Sequence, residues 1–190
     1  MATLITGLFD TVAAAETAVS QLKQIGYGGN EITIVMKDRG AADNLAHDSG
    51  ARTMEGVGTG ATIGGAIGAV LGGLLAVGTV TLAPPIGLIA AGPLAAAIAG
   101  AGAGGIAGGL IGWLATFGIS DEMAPYYEHG LKNGGVVVAC SSHPGDENRV
   151  QQILQTGAVA YTGGAAGSYV SPEYRARYDN DVRTGTVSRV

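Results

Sequence analysis

From Gly56 through Ser120 the chain carries no Asp, Glu, Lys or Arg, and within that stretch glycine recurs at four-residue steps. Gly60, Gly64, Gly68 and Gly72 form one ladder, with Ala61, Gly65, Ala69 and Gly73 as a second stripe beside it. The pattern returns at Gly100, Gly104, Gly108 and Gly112, flanked by Ala97, Ala101, Gly105 and Gly109. Residues four apart share one face of a helix, so each half predicts a helix with a face almost empty of side chains. Ile63, Ile67, Val70, Leu71 and Leu74 in the first half, and Ile98, Ile106, Leu110 and Leu114 in the second, fall elsewhere on the helix. Small residues at that spacing let two backbones approach closely, and dispersion with Cα–H···O contacts then replaces side-chain packing.

Such helices do not stand alone. Each interior glycine costs ~1 kcal/mol relative to alanine, so the seven between Val57 and Val77 imply roughly 7 kcal/mol of lost propensity. Either a bilayer or tight burial against other helices has to offset it. Residues 57–77 and 94–117 each reach the ~20 residues that span a hydrocarbon core. Pro84 and Pro85 mark the tip of the resulting hairpin, and Pro93 suits the first turn of its second helix. Because residues 78–92 are themselves apolar, a buried or re-entrant tip is a further option. The sequence therefore predicts a glycine-zipper helical hairpin over 56–119, the core of a membrane anchor or of an oligomer.

The ten Lys/Arg and fifteen Asp/Glu all lie outside this block, so the net charge of −5 describes the flanks and argues against a nucleic-acid partner. A single cysteine, Cys140, excludes an intramolecular disulfide and suits a reducing compartment. The first residues lack a basic region followed by a sufficient apolar run, so no secretory signal is recognised. Lys37, Arg39, Arg52 and Lys132 flank the block, and this predicts a cytoplasmic or membrane-associated protein with both termini cytoplasmic.

The flanks read as two matching halves. Residues 1–36 give a strand at 3–9, a helix capped by Asp10 with Val12, Ala15, Val19, Leu22 and Ile25 on its apolar face, and a strand at 31–36. Residues 37–55 are polar and glycine-broken, a linker. Residues 120–162 begin with a short helix capped by Ser120 and continue with an apolar strand at 135–141. A helix facing inward through Val150, Ile153 and Leu154 follows, then a strand at 158–162. Val19, Leu22 and Gly26 correspond to Val150, Ile153 and Gly157. Two strand–helix–strand halves predict an α+β fold, a ferredoxin-like split βαβ sandwich with two helices on one face and the zipper hairpin inserted between its second and third strands. Residues 163–190 read as a flexible tail or a subunit-docking arm, with Tyr169, Tyr174 and Tyr178 as its large apolar groups.

Residues 7–26 (GLFDTVAAAETAVSQLKQIG), 126–138 (YYEHGLKNGGVVV) and 149–158 (RVQQILQTGA) resemble a bacterial general-stress-protein family, the heat-induced stress domain, here with a glycine-zipper insertion. The resemblance covers roughly the first 160 residues. It implies a ferredoxin-like core and a non-enzymatic role in stress or envelope physiology, and it supplies no catalytic residues.

The motifs that could carry chemistry each have a plainer reading. GAGAGG at 100–105 fits G-x-G-x-x-G, but AAAIA precedes it inside a glycine ladder, where a dinucleotide site needs a strand. His47, His129, His143 and Cys140 are too dispersed to supply a metal's ligands. His129 reads as a favourable contact with a helix C-terminus, Cys140 as core, and Asp146 and Glu147 as first-turn carboxylates. No catalytic residue, metal or cofactor is expected. The expected partners are the chain itself and membrane lipid, and the expected function is a stress-related self-associating structural protein. The alternative is a membrane-anchored regulatory module that binds a small ligand on the open face of the sheet.

Overall fold

The structure, a computed structural model, describes residues 3–37, 79–82, 88–92, 114–163 and 167–186. Strand β1 (Thr3–Phe9), helix α1 (Val12–Gln24) and strand β2 (Ile32–Lys37) come first. Strands β3 (Thr79–Leu82) and β4 (Leu88–Ala91) and a 3-10 turn (Ala115–Phe117) follow. Helix α2 (Ala124–Lys132), β5 (Val136–Ser142), α3 (Glu147–Gln155), β6 (Ala160–Thr162), β7 (Ser168–Val170) and α4 (Pro172–Arg183) complete the described chain. The fold is α+β, built on one antiparallel sheet in the order β3-β4-β2-β5-β1-β6-β7.

Alternation along the central strands assigns side chains to two cores. Ile5, Phe9, Ile32, Ile34, Val136, Val138 and Cys140 meet Ala15, Ala18, Val19 and Leu22 of α1 and Val150 and Leu154 of α3. Leu8, Val35, Val137 and Ala139 face the other way, onto Leu114, Phe117, Met123, Tyr127, Leu131 and Tyr174. β5 pairs with β1 on one side and β2 on the other, in registers that place Cys140 opposite Ile5 and Ile32. Its run VVVAC is apolar throughout because both faces of the sheet are covered.

Chain reversals follow local chemistry. α1 and α3 run out at Gly26 (φ +102°) and Gly157 (φ +94°), matching positions in the two halves. α2 ends in a Schellman motif: Gly134 (φ +85°) donates to the carbonyl of Leu131, and Gly135 donates to that of Gly130 at 2.8 Å.

Several expectations are corrected. Asp10 does not cap α1; the Thr11 hydroxyl accepts from the backbone N–H of Ala14, and Asp10 pairs with Arg177 instead. Ser120 opens a turn rather than capping a helix, its carbonyl accepting from Met123 and Ala124, and α2 starts at Ala124. The stretch expected at the helical tip contains two strands, and β4 pairs residue for residue with β2, from Ile34↔Ala91 to Lys37↔Leu88. β-branched Thr79, Val80 and Thr81 favour that state.

The end of the expected second span belongs to the globular core, since Leu114, Phe117 and Ile119 are buried and the Thr6 hydroxyl donates to the Phe117 carbonyl at 3.1 Å. In place of a flexible tail, β7 pairs with β6, and α4 lies on the same chain with Tyr174 buried. The sheet's second face, expected to be open, is covered by α2, α4 and the 114–123 segment. Residues 38–55 of the linker and all twelve zipper glycines (Gly60, Gly64, Gly65, Gly68, Gly72, Gly73, Gly100, Gly104, Gly105, Gly108, Gly109 and Gly112) lie outside the described residues.

Candidate functional site

The densest polar arrangement sits where α4 crosses α2. His129 lies in the last turn of α2 and is 1% exposed. Its Nδ1 is 3.2 Å from the Tyr174 hydroxyl, and its Nε2 is 2.9 Å from Asp181 Oδ2 and 3.0 Å from the Asn133 side-chain amide. The Tyr174 hydroxyl donates to the Tyr126 carbonyl at 2.7 Å, so toward His129 its oxygen is free to accept. The edges of Tyr174 and Tyr178 close on the imidazole, at 5.7 Å and 5.4 Å between centroids. Arg177 reaches from α4 to Asp10 Oδ1 at 2.6 Å and lies over the Tyr174 ring. Burial pushes the Tyr174 phenol well above its ordinary value, so the hydroxyl keeps its proton.

A histidine between a carboxylate and a tyrosine has the makings of an acid–base dyad. Both ring nitrogens are already committed, however, and the ring is sealed from solvent, so no substrate atom comes within the ~3 Å that proton transfer needs. The arrangement acts as a clamp between two helices. The sequence places His129 at a helix C-terminus, where it lies; besides Asn133, its partners Tyr174 and Asp181 come from residues 163–190. A signal for them was present: Ser171-Pro172-Glu173 is a cap, a first-turn proline and a first-turn carboxylate, after which Tyr174, Tyr178 and Asp181 share one helical face.

The remaining chemistry-bearing groups are apart from this clamp. Tyr27 stacks on His143 at 4.8 Å and its hydroxyl accepts from the His143 backbone N–H, while Glu31 Oε1 stands 3.8 Å from His143 Nε2. Cys140 is fully buried in the α1/α3 core, and burial pushes its thiol up to about 12, which suppresses thiolate chemistry. Asp146 stands at the start of α3 without a capping bond, and Glu147 Oε2 accepts from the Gly145 N–H at 2.8 Å. Glu16 is the outlier: it is 4% exposed on α1, and neither carboxylate oxygen has a hydrogen-bond partner among the described residues. Desolvation holds its carboxyl above the usual range.

A groove of about 340 Å³ between α1 and α3 is floored by Ile25 and Ile153 and rimmed by Gln21, Gln24, Gln152 and Arg149. It holds no nucleophile–base pair. Among the described residues no three His, Cys, Asp or Glu side chains group as metal ligands, and no helix is long and apolar enough to cross a membrane. His47 and the GAGAGG run lie outside the described residues. No protein-family model, curated protein or solved structure matches the chain.

Proposed function

We propose that the chain is a non-enzymatic, self-associating structural protein of the general-stress type. A ferredoxin-like split βαβ domain carries a glycine-zipper hairpin that inserts into a membrane or builds a supramolecular assembly. The observation that carries this reading is the pair of four-glycine ladders within a stretch free of charged residues. Close backbone packing is what such ladders are suited to, and the helices they form need a partner surface. The split βαβ assignment is supported by the inner strand order β2-β5-β1-β6, by α1 and α3 sharing one face, and by the matching terminal glycines. β3, β4 and β7 extend that plan on both edges. The alternative, a sensor with its ligand on the open sheet face, has no observation in its favour, because α2 and α4 occupy that face.

The test substitutes Gly68→Leu and, separately, Gly104→Leu. On an exposed helix each change gains roughly 1 kcal/mol of propensity; in a zipper it holds two backbones apart. We expect sedimentation and size exclusion to show smaller particles, or loss from the membrane fraction, with amide exchange of β1 and β5 unchanged. Comparison with and without detergent separates a lipid anchor from a protein core. Unchanged particle size in both variants refutes the proposal.

A further inference from the structure

Helix α4 is attached to the domain in a way no other described helix is. Of its twelve residues only Tyr174 is buried, whereas α1 buries Ala15, Ala18, Val19 and Leu22 against the sheet. Apart from Tyr174 itself, α4 is held by ring contacts of Tyr178 with Tyr126 and His129, at 4.7 Å and 5.4 Å, and by polar contacts distant in sequence. Tyr174 bonds to Tyr126, His129 contacts both Tyr174 and Asp181, and Arg177 pairs with Asp10, across separations of 45 to 167 residues. Two of these attachments reach solvent: the Arg177 and Asp10 side chains are 49% and 34% exposed, and Asp181 is 27% exposed. Beneath Tyr174 the domain is closely packed. Leu8, Ala160 and Val170 are buried there, and Gly130 approaches Leu8 and the Tyr174 hydroxyl so closely that a methyl group would not fit without movement.

We infer that α4 is a releasable strap. It lifts off as a unit, through loss of the His129–Asp181 and Arg177–Asp10 contacts and withdrawal of Tyr174, while the sheet stays folded. Elements whose opening exposes little apolar area open at a small fraction of the global unfolding free energy. Opening withdraws Tyr174 and uncovers its site on α2, around His129 and Gly130 with Leu8 beside them. The second face of the sheet stays covered by α2 and the 114–123 segment with the strap up. Nothing in this inference depends on the zipper.

The experiment is native-state hydrogen exchange on the full chain, read by mass spectrometry, beside the variants Asp181→Asn and Arg177→Gln. Amides of residues 176–183 are expected to exchange at least ~100-fold faster than those of β5, and each variant to speed them by a further ~10-fold with β5 unchanged. Trypsin provides a second readout, because Arg175 and Arg177 lie inside α4 and are cut when it opens; native cleavage there should precede cleavage at Arg149 inside α3. Equal protection of α4 and β5 overturns the inference. So does an α4 exchange rate that neither variant changes, since the polar contacts would then not be the catch.

Discussion

Gly135 offers the sharpest test of how the two halves of the domain are joined. It is buried between the end of α2 and the start of β5, with no positive φ to explain its identity. Its backbone N–H closes the Schellman motif onto Gly130. A Cβ built there would stand 2.9 Å from the Gly130 carbonyl oxygen and 2.9 Å from that of Phe9. Both distances are well inside the ~3.5 Å of ordinary heavy-atom contact. Neither obstacle is the end of a flexible side chain: one oxygen caps a helix, and the other belongs to β1 where Phe9 faces Val136. Gly135→Ala must therefore push α2 away from β1 or break the cap. Overpacking of this kind costs about 1–3 kcal/mol. Stiffening of the unfolded chain returns about 0.4–1 kcal/mol.

The expected net loss from Gly135→Ala is thus about 1–2 kcal/mol, or a fall in Tm of about 2–8 °C for a chain of this length. Gly28 is the control. It also lacks a positive φ, and a Cβ there would meet only Glu31 Oε2, at 3.6 Å. Gly28→Ala should be neutral or stabilising by up to about 1 kcal/mol. Urea and thermal unfolding followed by circular dichroism, with the two probes required to agree, reads both variants. If Gly135→Ala matches or exceeds the parent in stability, the close approach of α2 to β1 is not what fixes this glycine.

Two further expectations concern buried ionisable groups. Glu16 has its carboxyl raised by desolvation, so the native chain binds that proton more tightly than the unfolded chain; stability from this group is greatest below the unfolded carboxyl value and falls as pH rises through the folded one. Glu16→Gln should flatten that slope and raise the urea midpoint at neutral pH, and an unchanged pH profile would mean the carboxylate finds compensation. Cys140, fully buried with its thiol pushed up to about 12, should resist iodoacetamide at neutral pH in the native chain and react in step with urea unfolding; rapid native labelling would place it outside the core.

The inner strands and the helices α1 and α3 were legible because periodicity and composition agree there. Val19, Leu22 and Gly26 repeat as Val150, Ile153 and Gly157, and the apolar run before Cys140 could only be a strand covered on both faces. Helix starts were less legible: Asp10 and Thr11 are both competent caps, and the distant Arg177 draws Asp10 away. The second face was not legible at all. A search for apolar stripes passes over α4, whose one buried residue is Tyr174 and whose other attachments are ring and polar contacts that lie far back in the chain. Residues 78–92 read as an apolar tip between two helices, marked by Pro84 and Pro85, whereas the β-branched Thr79, Val80 and Thr81 favour the strand pair that β4 docks on β2.

Those two features change what the uncharged block is to the domain. A zipper hung from a polar linker would leave the outer domain free to tumble beside any assembly it joined. Here the block is fastened to the sheet twice. β4 continues the hydrogen-bonded ladder of β2 over four residue pairs, and beyond the second glycine ladder Leu114, Phe117 and Ile119 are buried in the core on the sheet's second face, with Thr6 of β1 bonded to Phe117. The two fastenings meet different strands, one at β2 and one at β1, on either side of the central β5. A zipper packed as proposed would thus hold each domain at a set orientation, because rotating the domain against the zipper costs ladder hydrogen bonds on one side and buried apolar contacts on the other. Leu114, Phe117 and Ile119 therefore belong with the described domain rather than with the proposed zipper.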